Sequence, residues 1–223
     1  MCGLAAIYAY SGDAPPVNEA ALAACNARMI RRGPDAEGSW VSGDGRVGLA
    51  HRRLAIIDLD DRAAQPMSLT DGGPRIDITY NGEIYNFRAL RQQLQDQGQE
   101  FKTQSDTEVL LHLYRRDGAD MVRHLRGMFA FAIWDEEKRG MLLGRGAFGI
   151  KPLYYMDDGK TLFAASQVKA LLAGLGAMGR ATPSENPAAH AGFFLFGHVP
   201  EPLSLYKDIK ALPAGTTLWI DGG

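Results

Sequence analysis

Cysteine is scarce in this chain. Only Cys2 and Cys25 stand among its 223 residues, too few for a disulfide framework, and that usage predicts a reducing, cytoplasmic setting. No apolar run approaches the ~20 residues of a membrane span, and the N-terminus lacks the basic region and long apolar segment of a signal peptide. Charge of one sign is missing too. The 24 Lys and Arg against 26 Asp and Glu give a net charge of −2, which supplies no footprint for nucleic acid or an anionic membrane. The histidines His51, His112, His124, His190 and His198 are scattered without ligand spacing, so no metal site is expected and they read as surface or packing residues. There is no internal repeat.

What is present fits a soluble globular protein: 46% apolar and 22% charged residues, in a chain long enough to bury a real core as one large domain or two small ones. Leu4 to Tyr10 is apolar and reads as a buried strand with Cys2 at its start. A helix is predicted from Asn18, with Leu22, Cys25 and Met29 on one face, ending near Gly33-Pro34. Cys25 therefore reads as core filling. Gly43-Asp44-Gly45-Arg46-Val47-Gly48 matches the dinucleotide-binding pattern G-x-G-x-x-G, yet Leu49 to Asp58 looks extended and opens no helix, so these glycines read as a hairpin turn.

Further along, Ile76 to Tyr80 is a strand, and Asn86 can cap a helix through Phe87, Leu90 and Leu94 that stops at Gly98. Ser105-Asp106-Thr107-Glu108 is a capping box that puts Asp106 in a first helical turn, where the dipole favours a carboxylate. After a short helix at 121–125, hairpins are predicted from Met128–Trp134 with Met141–Arg145 and from Leu153–Met156 with Thr161–Ala165. A helix over Ser166–Leu172, a flexible loop over Gly174–Pro187 and a last strand over Thr216–Ile220 complete the chain. Antiparallel hairpins interspersed with amphipathic helices predict α+β layers, not a βαβ parallel sheet.

The candidate nucleophile lies in the first three residues, Met1-Cys2-Gly3. Removal of Met1, which a small second residue allows, would leave Cys2 with a thiol and a free α-amine together. An α-amine titrates near ~7.7–8.0 and a thiol near ~8.5, so close to neutral pH the amine can take the thiol proton with no histidine partner. A buried, inert Cys2 behind a retained Met1 is the plainer alternative.

Seven short strings then occur in order: Cys2-Gly3, Arg32-Gly33-Pro34-Asp35, His51-Arg52-Arg53-Leu54, Asn81-Gly82-Glu83-Ile84-Tyr85-Asn86, Ser105-Asp106-Thr107-Glu108, Gly127-Met128-Phe129-Ala130-Phe131 and Phe148-Gly149-Ile150-Lys151-Pro152-Leu153-Tyr154. Together they resemble the class II glutamine amidotransferase domain of glutamine-hydrolysing asparagine synthetases. The resemblance is dense over residues 2–173, expected as the glutaminase core. Residues 174–192 are expected as a loop or linker, and residues 193–223 as an extension carrying the family-like strings Val199-Pro200-Glu201-Pro202 and Lys210-Ala211-Leu212-Pro213-Ala214-Gly215.

The resemblance implies an N-terminal-nucleophile hydrolase fold, a four-layer αββα sandwich of two antiparallel sheets, and the conversion of L-glutamine to glutamate and ammonia. It implies Cys2 as nucleophile and, for the tetrahedral oxyanion, the Asn81 side-chain amide with the Gly82 N–H. Arg53 matches the residue that pairs with the α-carboxylate, a task suited to a planar bidentate donor. Glu83 and Asp106 would bind the α-ammonium. Lys151 receives no role.

Two departures from the family pattern stand out: Gly146-Ala147 follows Arg145 where the family carries an acidic residue, and Gln167 replaces a glutamate. The Ser-Gly-Gly-x-Asp-Ser loop of the family's ATP-binding domain does not occur. No cofactor is therefore expected in this chain, with ATP and Mg²⁺ belonging to an absent synthetase domain. An excised domain and a stand-alone unit that passes ammonia to a synthetase partner both fit, and homodimerisation stays open. The alternative function is a catalytically silent glutamine-binding or docking module.

Overall fold

The computed structural model describes residues 1–222; Gly223, the last residue of the expected extension, lies outside the described residues. Two antiparallel sheets form the middle of the molecule. The first runs β10 (Lys210–Ala211), β8 (Tyr154–Asp157), β9 (Thr161–Ala165), β1 (Gly3–Ala9), β3 (Val47–Arg53), β2 (Ala36–Val41). The second runs β11 (Thr217–Asp221), β7 (Gly140–Arg145), β6 (Gly127–Asp135), β5 (Ile76–Ile84), β4 (Met67–Leu69).

The alternation of side chains along each strand divides the core into layers. Ala5, Ile7 and Ala9 of β1 face α1 (Glu19–Met29) and α4 (Val168–Ala177), meeting Leu22, Cys25, Met29 and Leu171. Leu4, Ala6 and Tyr8 face the second sheet, meeting Ala130, Ala132 and Trp134 of β6. On the far side Ile78 and Tyr80 of β5 pack under α2 (Phe87–Asp96) and α3 (Asp106–Asp117), through Leu90, Leu94, Val109 and Leu110. The order is helix, sheet, sheet, helix. β1 reads as an unbroken apolar run because both of its faces are covered.

Local sequence sets most boundaries as expected. Asn18 caps α1, accepting the Ala21 N–H at 2.8 Å. Gly43 and Gly45 lie in the turn between β2 and β3, and Gly48 is already in β3, paired with Val41. Three details differ. Asn86 stands at the N-cap of α2 without a side-chain cap bond; its amide instead accepts the Arg126 N–H and donates to the His124 carbonyl, both at 2.9 Å. In the capping box Ser105 accepts the Thr107 N–H at 3.1 Å, but Glu108 reaches past Ser105 to the N–H groups of Lys102 and Thr103.

The third difference is the stretch read as a loop over Gly174–Pro187. α4 continues to Ala177 because Gly174 is a contact surface, not a breaker: a Cβ there would lie 2.7 Å from Cys25 Sγ. Pro187 opens a helix, α5 (Pro187–Phe196), from the first-turn position where its missing N–H costs nothing, with Asn186 as cap. Only residues 178–186 stay irregular. The C-terminal stretch then adds β10 to one sheet and β11 to the other.

Candidate active site

β4 is short, and that shortness makes the site. It pairs with β5 only over Ile76–Ile78, so the same edge of β5 lies open from Tyr80 to Ile84. Along an antiparallel strand, alternate N–H groups point to the same edge. The Tyr80 N–H on this edge is taken by Gln65 Oε1 at 2.6 Å and the Ile84 N–H by Asp106 Oδ2 at 3.0 Å. The Gly82 N–H, between them in the alternation, faces the same way.

A cleft open to solvent adjoins this edge. Its lining includes Cys2, Arg53, Asn81, Gly82, Glu83 and Asp106, all six residues singled out from the sequence, together with Met1. Cys2 sits one step before the Gly3–Arg52 pair of β1 and β3. Its thiol accepts the Leu54 N–H at 3.3 Å and donates to the Leu54 carbonyl at 3.6 Å, while Arg32 Nε holds the Cys2 carbonyl at 2.8 Å. The Arg-Gly-Pro-Asp string is a clamp on this corner: Asp35 also accepts the Ala55 N–H at 2.9 Å. In this chain Cys2 nitrogen is a peptide nitrogen, and the α-amine belongs to Met1.

Asn81 projects from β5 toward the other sheet and is buried, yet its Nδ2 has no hydrogen-bond partner among the described residues. Buried amides are ordinarily satisfied, so an orphaned donor in a cleft wall calls for an explanation. Gly82 is a glycine for packing reasons as well, since a Cβ would lie 2.5 Å from the Met128 carbonyl oxygen and 2.7 Å from the Tyr80 ring.

Arg53, 9% exposed, bonds the backbone carbonyls of Asp58 and Asp60, the latter at 3.3 Å. Among the described residues no carboxylate forms a salt bridge with it. Asp106 is 3% exposed. Burial raises its pKa above the usual carboxylate range, the hydrogen bonds from the Ile84 N–H and Tyr80 hydroxyl work against that rise, and the nearby Glu83 charge adds to it.

Sequence reasoning missed several lining residues. Gln65 and Tyr80 carry no catalytic signature, and Leu54 acts through its backbone. Lys151 is buried and lines the cleft, on a loop that Arg145 holds through the Gly149, Lys151 and Leu212 carbonyls at 2.6, 3.1 and 2.6 Å. Arg145 finds its carboxylate in Glu201, 2.8 Å away, so the Val-Pro-Glu-Pro string supplies an acid where Gly146 follows the arginine. Gln167 leaves its Oε1 buried without a partner. His51 lies between the sheets, its pKa pushed down to about 3 by burial and the Arg53 charge. The Thr79 hydroxyl donates to the Ala50 carbonyl and so accepts from His51 Nδ1, 3.2 Å away, assigning the proton to that nitrogen. Among the described residues no three His, Cys, Asp or Glu side chains are grouped to hold a metal ion, and no helix is long and apolar enough to cross a membrane.

Two stacked antiparallel sheets between helical layers form the αββα sandwich of the N-terminal-nucleophile hydrolase fold. The family follows from comparison: a glutamine amidotransferase domain model matches residues 1–223, and the chain belongs to that family. Asparagine synthetase [glutamine-hydrolyzing] 3 of Bacillus subtilis is 43% identical over 145 residues, 65% of this chain and 23% of the relative. Asparagine synthetase [glutamine-hydrolyzing] 1 of the same organism is 35% identical over 221 residues, 99% of this chain and 33% of the relative. The chain thus spans a third or less of these relatives. Among solved structures, the glutamine phosphoribosylpyrophosphate amidotransferase of B. subtilis superposes with a TM-score of 0.64 at 23% identity, over 84% of this chain and 46% of that one, which supports the fold.

Proposed function

We propose that this chain hydrolyses L-glutamine to glutamate and ammonia at Cys2, and that the ammonia serves an asparagine-synthetase-type acceptor reaction. The observation that carries the reading is the buried, unpartnered Asn81 Nδ2 in the cleft that holds the Cys2 thiol. With the Gly82 N–H on the open edge it makes a pair of fixed donors, the requirement for stabilising a tetrahedral oxyanion.

The steps follow from these groups. With Met1 removed, the Cys2 amine takes the thiol proton and sulfur attacks the side-chain amide carbon of glutamine, forming a C–S bond. Asn81 Nδ2 and the Gly82 N–H hold the resulting oxyanion. The protonated amine gives its proton to the amide nitrogen, the C–N bond breaks and ammonia leaves, with a γ-glutamyl thioester on Cys2. Water, deprotonated by the same amine, hydrolyses the thioester to glutamate and restores the thiol. Arg53, whose protein partners are carbonyls, keeps its charge for the substrate α-carboxylate; Asp106 and Glu83 receive the α-ammonium.

The relatives are glutamine-hydrolysing asparagine synthetases, which supports an acceptor reaction of that kind. A synthetase domain or subunit that uses ATP and Mg²⁺ would consume the ammonia, and a thiol that must stay reduced suits the cytoplasm. Met1 lines the cleft, so a chain that keeps it is the silent glutamine-binding module of the second reading. A glutaminase assay with N-terminal sequencing separates the two. Equal release of glutamate and ammonia by chains that begin at Cys2 is expected; inactivity of such chains would overturn the proposal.

A further inference from the structure

One wall of the cleft joins Asp106 to three residues that the steps above leave unused, Tyr80, Gln65 and Thr107. The Tyr80 hydroxyl donates to Asp106 Oδ2 at 2.8 Å, the oxygen that also takes the Ile84 N–H at 3.0 Å. The Tyr80 N–H donates to Gln65 Oε1 at 2.6 Å, and Gln65 Nε2 donates to the Thr107 hydroxyl at 3.3 Å, one residue beyond Asp106. β5 and the first turn of α3 are therefore stapled at two points, and all four side chains line the cleft. Tyr80 is 2% exposed, so its hydroxyl has little water to turn to.

Both bonds from neighbouring residues fall on one carboxylate oxygen. Two donors on Oδ2 fix the rotation of the Asp106 carboxylate and leave Oδ1 to receive a third donor from the cleft. A buried carboxylate held this way can discriminate, because a ligand without a matching cation leaves the charge uncompensated.

We propose that Tyr80 is a specificity-determining positioning residue: by fixing Asp106 Oδ2 it presents Oδ1 to an α-ammonium, so that the cleft selects free glutamine over side-chain amides that lack the amine. Gln65 supports it by holding the Tyr80 backbone against α3. The inference deepens the glutaminase reading and rests on it. Loss of the hydroxyl also removes one of the two neighbouring bonds that favour the ionised carboxylate, while burial and the Glu83 charge continue to oppose ionisation. The terminal amine, of Met1 or of Cys2 once Met1 is removed, and the side chains of Cys2, Arg53 and Lys151 complete the titratable groups lining this cleft.

The test compares L-glutamine with glutaramate, the same amide without the α-amine, for the wild type, Tyr80→Phe and Gln65→Met. Tyr80→Phe is expected to raise KM for glutamine on the order of tenfold, the worth of a hydrogen bond to a charged group, and to leave kcat within about twofold. Its kcat/KM for glutaramate stays at the wild-type value, so selectivity falls by the same factor. Gln65→Met is expected to erode selectivity in the same direction by a smaller factor, which keeps the test open should Tyr80→Phe not fold. Equal losses on the two substrates, or unchanged selectivity in an active protein, would overturn the inference alone. A wild type inactive on both substrates would overturn the glutaminase reading and this inference with it.

Discussion

Between the two sheets, the end of the layer near Tyr8 is filled by Trp134, Met141 and Leu143, with Tyr8 edge-on to Trp134 at 4.9 Å between ring centres. Along the same strands toward Cys2, the positions that keep this register are His51 and Arg53 on β3 and Thr79 and Asn81 on β5. One end is a core; the other is lined with donors and charge. The backbone scaffold is shared, so the difference lies in side-chain choice and in β4 ending before it can cover β5. At the apolar end burial stabilises the fold, and at the polar end the fold bears the cost of the orphaned Asn81 amide.

If that division is right, substitutions at the two ends should fail in different assays. Cys2→Ala is expected to abolish glutamine hydrolysis with circular dichroism and Tm at wild-type values; ammonia release by that variant would reject the thiol mechanism. Trp134→Ala, at the other end, is expected to cost about 3–5 kcal/mol in denaturant unfolding, while kcat per folded molecule holds. A matching loss of kcat would join the two ends into one unit. Asn81→Ala should lower kcat on the order of 10²–10³-fold with little change in KM, and stability at or above the wild-type value would confirm that its orphaned donor is a burden on the fold. Arg53→Ala has the mildest effect on chemistry: KM for glutamine rises and kcat is retained. An unchanged KM would remove Arg53 from the carboxylate role.

Much of this contrast was legible before any coordinates. The apolar run at Leu4–Tyr10 predicts a buried strand, and the ordered strings from Cys2-Gly3 to Phe-Gly-Ile-Lys-Pro name residues that the fold brings to one cleft. The capping box Ser105-Asp106-Thr107-Glu108 places Asp106 in a first helical turn. Other features could not be read because they arise from a strand that stops. Nothing in Met67–Leu69 says that its pairing ends at Ile78, and from that ending follow the open edge, the Gln65 bond to Tyr80 and the exposure of the Gly82 N–H. The misread stretch at Gly174–Pro187 has a similar cause. Glycine and proline ordinarily break helices, whereas here Gly174 is small to admit Cys25 and Pro187 begins a helix.

The claim beneath all of this is that sulfur and amine of one terminal residue carry the reaction. Acid quenching of the purified protein during turnover with glutamine, followed by intact-mass and peptide-mass analysis, tests it most directly. The account predicts a γ-glutamyl adduct on Cys2, present only on chains that have lost Met1. An adduct on chains that retain Met1, or steady turnover with Cys2 never acylated, would contradict it.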